Sequence, residues 1–366
     1  MLMQNKNVRV VIAMSGGVDS SLTAALLKER GYDCIGVTMH LWDDENYFDP
    51  NNRGCCSLLT VEDARREAER LEIPYYVLNF KDQFKKTVVD NFISEYNCGR
   101  TPNPCILCNK YLKFEALLRK ARELGADYLA TGHYARVQKN EKTGRYNLLT
   151  GIDSAKDQSY ALYNMTQDVL GSFLLPLGNY SKQEVRKMAA TYGLAVADKP
   201  DSQEICFIPD NDYHRFLKQN ANVEPLPGWF VDKLGRKIAK HDGIQFYTIG
   251  QRKGLGLALG KPAFVTEIRP SVNEVVIGFA EDVYAKEFIV NSVNWIAVEK
   301  LVETRSALVK IRYSATAQPA MLQPLTNGSV LVVFENAQRA ITPGQSAVFY
   351  DADMVIGGGI IDIIKE

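Results

Sequence analysis

The run Val8–Met14 is almost unbroken apolar sequence, and the glycine-bearing turn Ser15-Gly16-Gly17-Val18-Asp19-Ser20-Ser21 follows it at once. A run without polar alternation predicts a strand buried on both faces, as in a parallel sheet. The residues after the turn predict a helix to about Arg30, with Gly31 as its stop. A chain that opens strand, tight turn, helix is constrained to an α/β architecture. The pattern then repeats. Cys34–His40, Tyr75–Asn79 and Tyr128–Thr131 read as strands. Val61, Ala64, Ala68 and Leu71 mark a helical face, as do Phe84, Val88, Phe92 and Tyr96, and then Phe114, Leu117, Leu118, Ala121 and Leu124. This alternation predicts an α/β fold with an N-terminal parallel sheet and helices on both faces. Ser181-Lys182-Gln183-Glu184 is a capping box that opens a further helix. Past about Asp212 glycine and proline become frequent. From about Phe288 the signal is β, with strands at Ala307–Tyr313 and Ser329–Phe334 and a turn at Asn327-Gly328. The expected division is a catalytic domain over 1–212, a small central β-rich domain over 213–287 and a C-terminal β-barrel over 288–366.

The turn also carries chemistry. Two glycines let backbone approach an anion, and a helix start points unpaired N–H groups and a positive dipole end at it. Ser15, Ser20 and Ser21 are further hydroxyl donors. The loop is not of the Walker type, because no lysine follows the glycines. It suits a pyrophosphate group held by backbone and hydroxyls. The competing reading is a plain tight turn in which Asp19 or Ser20 caps the helix. Gly254, Gly256 and Gly260 miss the dinucleotide spacing and are given no cofactor role.

The formal net charge of zero argues against a uniformly basic nucleic-acid coat, yet a local patch on a neutral protein still binds phosphates. No apolar run is long enough to span a bilayer, so no membrane partner is expected. Met1–Val10 lacks the apolar core of a secretory signal, which leads to an expectation of a cytoplasmic protein. Seven cysteines in 366 residues are too few for a disulfide scaffold. Three settings stand out. Cys105 and Cys108 lie in Thr101-Pro102-Asn103-Pro104-Cys105-Ile106-Leu107-Cys108, just before a predicted helix whose start would acidify a thiol. Cys206 lies in Asp201–Phe207, and Cys55-Cys56 form a vicinal pair. Zinc held by Cys98, Cys105, Cys108 and Cys55 or Cys56 is the competing reading. Cys34 and Cys98 otherwise read as buried small residues.

Ser-Gly-Gly-Val-Asp-Ser resembles the signature of the ATP pyrophosphatase superfamily, whose members cleave ATP to AMP and pyrophosphate. The wider match is to the tRNA-specific 2-thiouridylase family. It rests on Ala13–Ser21, Thr101–Phe114, Ala130–Arg136, Lys156–Tyr160, Asp201–Phe207, His241-Asp242-Gly243, Tyr247–Gly256, Arg312-Tyr313 and Thr342–Gln345. The resemblance implies ATP and Mg²⁺ as cofactors. ATP contacts are implied for Ala13, Met14, Ser15, Gly16, Gly17, Val18, Asp19, Ser20, Met39 and Gly132. It implies that Cys206 carries a persulfide and Cys108 is its partner thiol. Asn103, Pro104 and Cys105 would border the flipped base, and His133, Lys156, Asp157, Gln158, Arg312, Tyr313 and Gln345 would touch the tRNA. The implied partners are the anticodon loop of tRNAs for Lys, Glu and Gln, and a cysteine desulfurase or sulfur-relay protein as donor. The implied reaction adenylates the C2 oxygen of the wobble uridine and replaces it with sulfur. The rivals are another adenylating enzyme of the superfamily, such as a 4-thiouridine synthase, and a nucleotide-gated RNA-binding protein. Cys105 stands where the family usually has Asp, which leaves the route of the uracil N3 proton open.

Overall fold

The computed structural model describes residues 7–42, 58–200, 205–220 and 224–365, and the Cys55-Cys56 pair lies outside them. The chain divides into two compact units. One is Met1–Val88, Cys105–Asn211 and Asp353–Val355; the other is Val89–Pro104, Asp212–Ala352 and Ile356–Glu366.

In the first unit five strands form a sheet. Their order is Tyr75–Asn79, Asp33–His40, Arg9–Ala13, Tyr128–Ala130, Phe173–Leu174, and each paired register is parallel. Val10, Val11 and Ile12 are all fully buried, so the strand is covered on both faces, as its unbroken apolar run requires. One face packs Val10, Ile12 and Met14 against Ala24 and Leu27 of the helix Val18–Glu29 and Ala64 and Ala68 of the helix Leu58–Arg70. Strand order reverses at Arg9–Ala13, which has Asp33–His40 on one side and Tyr128–Ala130 on the other. In open α/β sheets ligands bind beyond the carboxyl ends of the strands at such a point. The loops after Ala13 and Ala130 flank it. The unit also holds an antiparallel hairpin, Ala135–Lys139 with Tyr146–Thr150, that the sequence reading lacked.

In the second unit, Phe264–Arg269, Glu274–Gly278, Gly228–Val231 and Lys237–His241 form one small sheet, in that order. Six further strands close on themselves: Tyr284–Trp295, Arg305–Lys310, Gln318–Pro324, Val330–Arg339, Ser346–Asp351 and Met354–Lys365. The last returns to pair antiparallel with the first, from Glu287↔Lys365 to Trp295↔Gly357. The barrel interior is apolar, with Phe288, Leu322, Val332, Phe349 and Ile356 at its centre. The fold class read from the sequence therefore holds, and Asn327-Gly328 does lie between antiparallel neighbours.

Cys34, in the sheet strand Asp33–His40, is buried as expected, and Cys98 is not: it is exposed. Cys98 is the C-cap residue of the helix Asp90–Asn97, whose buried residues are Phe92 and Tyr96. Burial first, and then the Asp33 charge, push the Cys34 thiol up to about 12. Iodoacetamide at pH 8 should therefore spare Cys34 in the native protein and modify exposed Cys98. Peptide mapping that found Cys34 labelled as fast as Cys98 would contradict this packing.

Candidate active site

Gly17 is the N-cap of the helix Val18–Glu29, and no side chain caps it. Among the described residues no acceptor is found for the N–H groups of Val18, Asp19 and Ser20, which is how an anion site is made. The loop is held closed by Ser20. Its hydroxyl donates to the Gly17 carbonyl at 3.1 Å and accepts the Ser15 N–H at 3.1 Å. The reading of Ser20 and Ser21 as outward donors needs correcting. Ser20 spends its proton inside the loop, and Ser21 is fully buried. Ser15 remains exposed at the mouth, its hydroxyl 3.4 Å from that of Ser20.

Two lysines from distant sequence reach this loop. Lys182 Nζ lies 2.8 and 2.9 Å from the two carboxylate oxygens of Asp19, and the Tyr134 hydroxyl donates to the same carboxylate at 2.7 Å. Lys182 is the first residue of the helix Lys182–Thr191, whose Ser181–Glu184 capping box is present as predicted. A cation there opposes the helix dipole at a cost of about 0.3–1 kcal/mol. A charge-assisted hydrogen bond contributes about 1.5–3 kcal/mol, and this lysine makes two. With Asp19 about a third exposed, screening trims the gain, but the pair still outweighs the dipole. Lys199 Nζ donates to the Gly16 carbonyl at 2.8 Å and to Asp63 at 2.7 Å. The sequence reading noted that no lysine follows the glycines and missed that two arrive from elsewhere. One signal was legible: a lysine directly after the cap of a capping box sits where acidic residues are favoured.

The second loop at the reversal point is Thr131-Gly132-His133-Tyr134. A Cβ on Gly132 would lie 2.8 Å from the Asp19 carbonyl carbon and 3.0 Å from Ser20 N, so glycine is what lets the two loops meet. His133 Nδ1 is 2.7 Å from the Thr131 hydroxyl, and Nε2 is 3.5 Å from Lys113 Nζ. An ammonium can only donate, so Nε2 accepts and the proton sits on Nδ1. Desolvation, and then the Lys113 charge, hold the His133 pKa well below its ordinary 6.5. The folded protein thus binds fewer protons than the unfolded chain as pH falls below about 6.5, and stability should drop in that window. Nitrogen-15 NMR should show a neutral Nδ1–H ring at pH 6; an imidazole titrating near 6.5 would refute the assignment.

The cysteine segments lie in the same unit. A helix begins at Pro104, earlier than the reading that set the cysteine pair before a helix, so exposed Cys105 and half-buried Cys108 are both helical. From Cys108 to Leu117 the hydrogen bonding widens to i→i+5, a rare form that is frequent at functional sites; a shorter stretch of it spans Lys85–Val89. Cys206 is half-buried. Its neighbour Phe207 is 1% exposed and packs edge-on against Phe84 at 5.6 Å and near Trp42 at 6.3 Å. Ile208 N–H donates to the Ile205 carbonyl at 2.9 Å, so the cysteine sits in a turn between half-buried Ile205 and the buried Phe207 and Ile208.

Residues 8–210 match the family model described as tRNA methyl transferase HUP domain, residues 214–279 the tRNA methyl transferase PRC-barrel domain, and 285–361 the aminomethyltransferase beta-barrel domain. The tRNA-specific 2-thiouridylase MnmA of Carboxydothermus hydrogenoformans is 55% identical over 355 residues, 97% of each chain. The chain belongs to the tRNA-specific 2-thiouridylase family. The MnmA of Clostridioides difficile is 53% identical over 97% of this chain and 98% of that one. A solved 4-thiouridine synthetase–RNA complex with bound ATP is 19% identical, covers 58% of this chain and 50% of that one, and aligns at a TM-score of 0.34, too slight to bear on function.

The residues that the 2-thiouridylase resemblance assigns to nucleotide and tRNA fall into two groups. Some are spent on the fold. Asp157 accepts from Gly151 N, Ser159 N and the Ser159 hydroxyl, and Gln158 is tied to both backbone groups of Tyr134. In the second unit Gln345 donates to the carbonyls of Thr101 and Pro102, which fixes the approach to half-buried Asn103 and buried Pro104. Others face outward. Tyr313 is 47% exposed, beside half-buried Arg312, which donates to the Arg339 carbonyl at 3.3 Å. Lys156 is half-buried, as is Met39 near the carboxyl end of its strand. Ala13 and Val18 bracket the loop, and Met14 is buried under it.

Proposed function

We infer that this protein is a tRNA-uridine 2-sulfurtransferase that activates the C2 oxygen of a wobble uridine with ATP and installs sulfur in its place. The observation that carries this is the coincidence, in a chain of this family, of an uncapped helix start behind Gly16-Gly17 with cysteines at 108 and 206. The C2 carbonyl of uracil is amide-like, so its oxygen must first become a leaving group. Its attack on the α-phosphorus of ATP expels pyrophosphate, and AMP departs when sulfur attacks C2. Ala13–Ser20, with Met39 and Gly132, would cradle the nucleotide. The sulfur comes from a persulfide on Cys206. Transfer leaves a Cys108–Cys206 disulfide, formed as Cys108 displaces the terminal sulfur or resolves the bridge.

Mg²⁺ belongs to this proposal as a companion of the phosphates. Both carboxylates at the loop, Asp19 and Asp63, are already paired with ammonium groups, so no protein ligand is assigned to it. In the second unit, Arg312 and Tyr313 suit an unpaired anticodon loop, where splayed bases stack on planar side chains; in the first unit, Lys156 and His133 are proposed as separate tRNA contacts. A cysteine desulfurase or a sulfur-relay protein would supply the sulfur. No helix among the described residues is long and apolar enough to cross a membrane, and a cytoplasmic site of action goes with the proposal. The proposed domains are 1–212, 213–287 and 288–366.

Nucleoside mass spectrometry of bulk tRNA, with and without the protein, tests the reading. 2-Thiouridine should appear only with protein, ATP and a sulfur source, and nucleotide chromatography should show AMP and pyrophosphate in step with it. ADP and phosphate as the products, or sulfur at uridine C4, would refute it.

A further inference from the structure

We propose that Lys199 is the phosphate-binding cation of the Ser15–Ser20 loop, a role that rests on the reading of that loop as the ATP site. A polyphosphate seated on backbone N–H groups alone lacks a full positive charge. A Walker loop supplies one with a lysine in line, and positions 18 to 21 here are Val18, Asp19, Ser20 and Ser21. Two ammonium groups reach the loop instead. Lys182 is committed to both oxygens of Asp19. Lys199 donates one bond to a neutral carbonyl, that of Gly16, and one to Asp63. An ammonium has three N–H donors, and the third on Lys199 has no partner among the described residues. It rests on the backbone that would face the anion, and it masks the carbonyl whose oxygen would otherwise repel a phosphate.

The approach of Lys199 is built rather than incidental. Arg186 donates to the carbonyls of Ala197 at 2.7 Å and Lys199 at 3.0 Å. Glu67, 1% exposed, accepts the Ala195 N–H at 2.7 Å. These bonds fasten the run from Ala195 to Lys199, so the long side chain reaches the loop from a fixed base and keeps only 15% of its surface exposed. A lysine that merely tied the loop down would protect every nucleotide alike. A lysine that binds the β- and γ-phosphates distinguishes ATP and pyrophosphate from AMP.

Titration calorimetry on the full-length chain separates these. Lys199→Met should weaken ATP and inorganic pyrophosphate by at least about tenfold, the scale of losing a charge-assisted contact, and leave AMP within about twofold. Lys199→Arg, which keeps the charge, should recover most of the ATP affinity. Equal losses for AMP and ATP in Lys199→Met would overturn the assignment, as would wild-type ATP affinity in that variant. Wild-type protein that binds neither ATP nor pyrophosphate would overturn the nucleotide reading, and Lys199 with it.

Discussion

Replacing Cys206 or Cys108 with serine should abolish 2-thiouridine formation, a loss of roughly a thousandfold or more, as expected when a covalent nucleophile is removed. A hydroxyl cannot hold a persulfide or close a disulfide, so no residual route exists through either position. The fold should be spared. Both thiols are half-buried, and the change replaces one sulfur with a smaller, more polar oxygen that solvent can reach. The anchors of the Cys206 turn are its neighbours, Phe207 on Phe84 and Trp42 and buried Ile208. ATP binding should persist in both variants, because the loop lies on other elements. The two should then differ in one respect. Radiolabelled sulfur from a desulfurase should still load onto Cys206 in Cys108→Ser and should not load in Cys206→Ser. Wild-type 2-thiouridine yield in either variant would end the assignment of the pair. Cys105→Asp, which restores the residue usual in the family, should remain active in the same assay.

The central strand was legible because burial on two faces leaves a strong mark on Val8–Met14. Tyr75–Asn79 is an edge strand with Tyr76 and Val77 exposed, and it was legible from its aromatic and β-branched residues instead; both observed strands end within a residue or so of the reading. The loop was legible for the same local reason, since two glycines between a strand and a helix leave few alternatives. The hairpin at Ala135–Lys139 and Tyr146–Thr150 was readable and was passed over. Its alternating strands flank Asn140–Gly144, a plain turn sequence. The charges at the loop were not readable. Lys182 and Lys199 arrive 163 and 183 residues from their partners Asp19 and Gly16, and no local pattern encodes such a meeting. The same holds for the wide helical turns from Cys108 to Leu117, which depend on what packs against the helix rather than on its own residues. Cys98 misled because cysteine is usually buried, and only the position of a helix end decides otherwise.

Gly16→Ala should be far more damaging than Gly17→Ala, although the two glycines are neighbours in one motif. Gly16 has φ of +65°, a conformation that costs an L-residue about 1–2 kcal/mol. A Cβ there would also lie 2.1 Å from the Thr60 carbonyl oxygen and 2.9 Å from its carbon. That obstacle is backbone in the first turns of the helix Leu58–Arg70, so no rotamer change relieves it. Either the loop or the helix must shift, and a shift of the helix also moves Asp63 away from Lys199. The summed cost should be at least about 3 kcal/mol, within the range of strained backbone combined with a buried clash. Gly17 has φ of −102°, and a Cβ there meets only the Ser15 hydroxyl at 3.6 Å, an ordinary contact. As an N-cap, alanine is poorer than glycine by a few tenths to about 1 kcal/mol. Denaturant melts of the two variants read the difference directly. A Gly16→Ala protein as stable as Gly17→Ala would mean that the loop and the Thr60 carbonyl do not pack together as described, and would also remove the geometric basis for placing Lys199 on the Gly16 carbonyl.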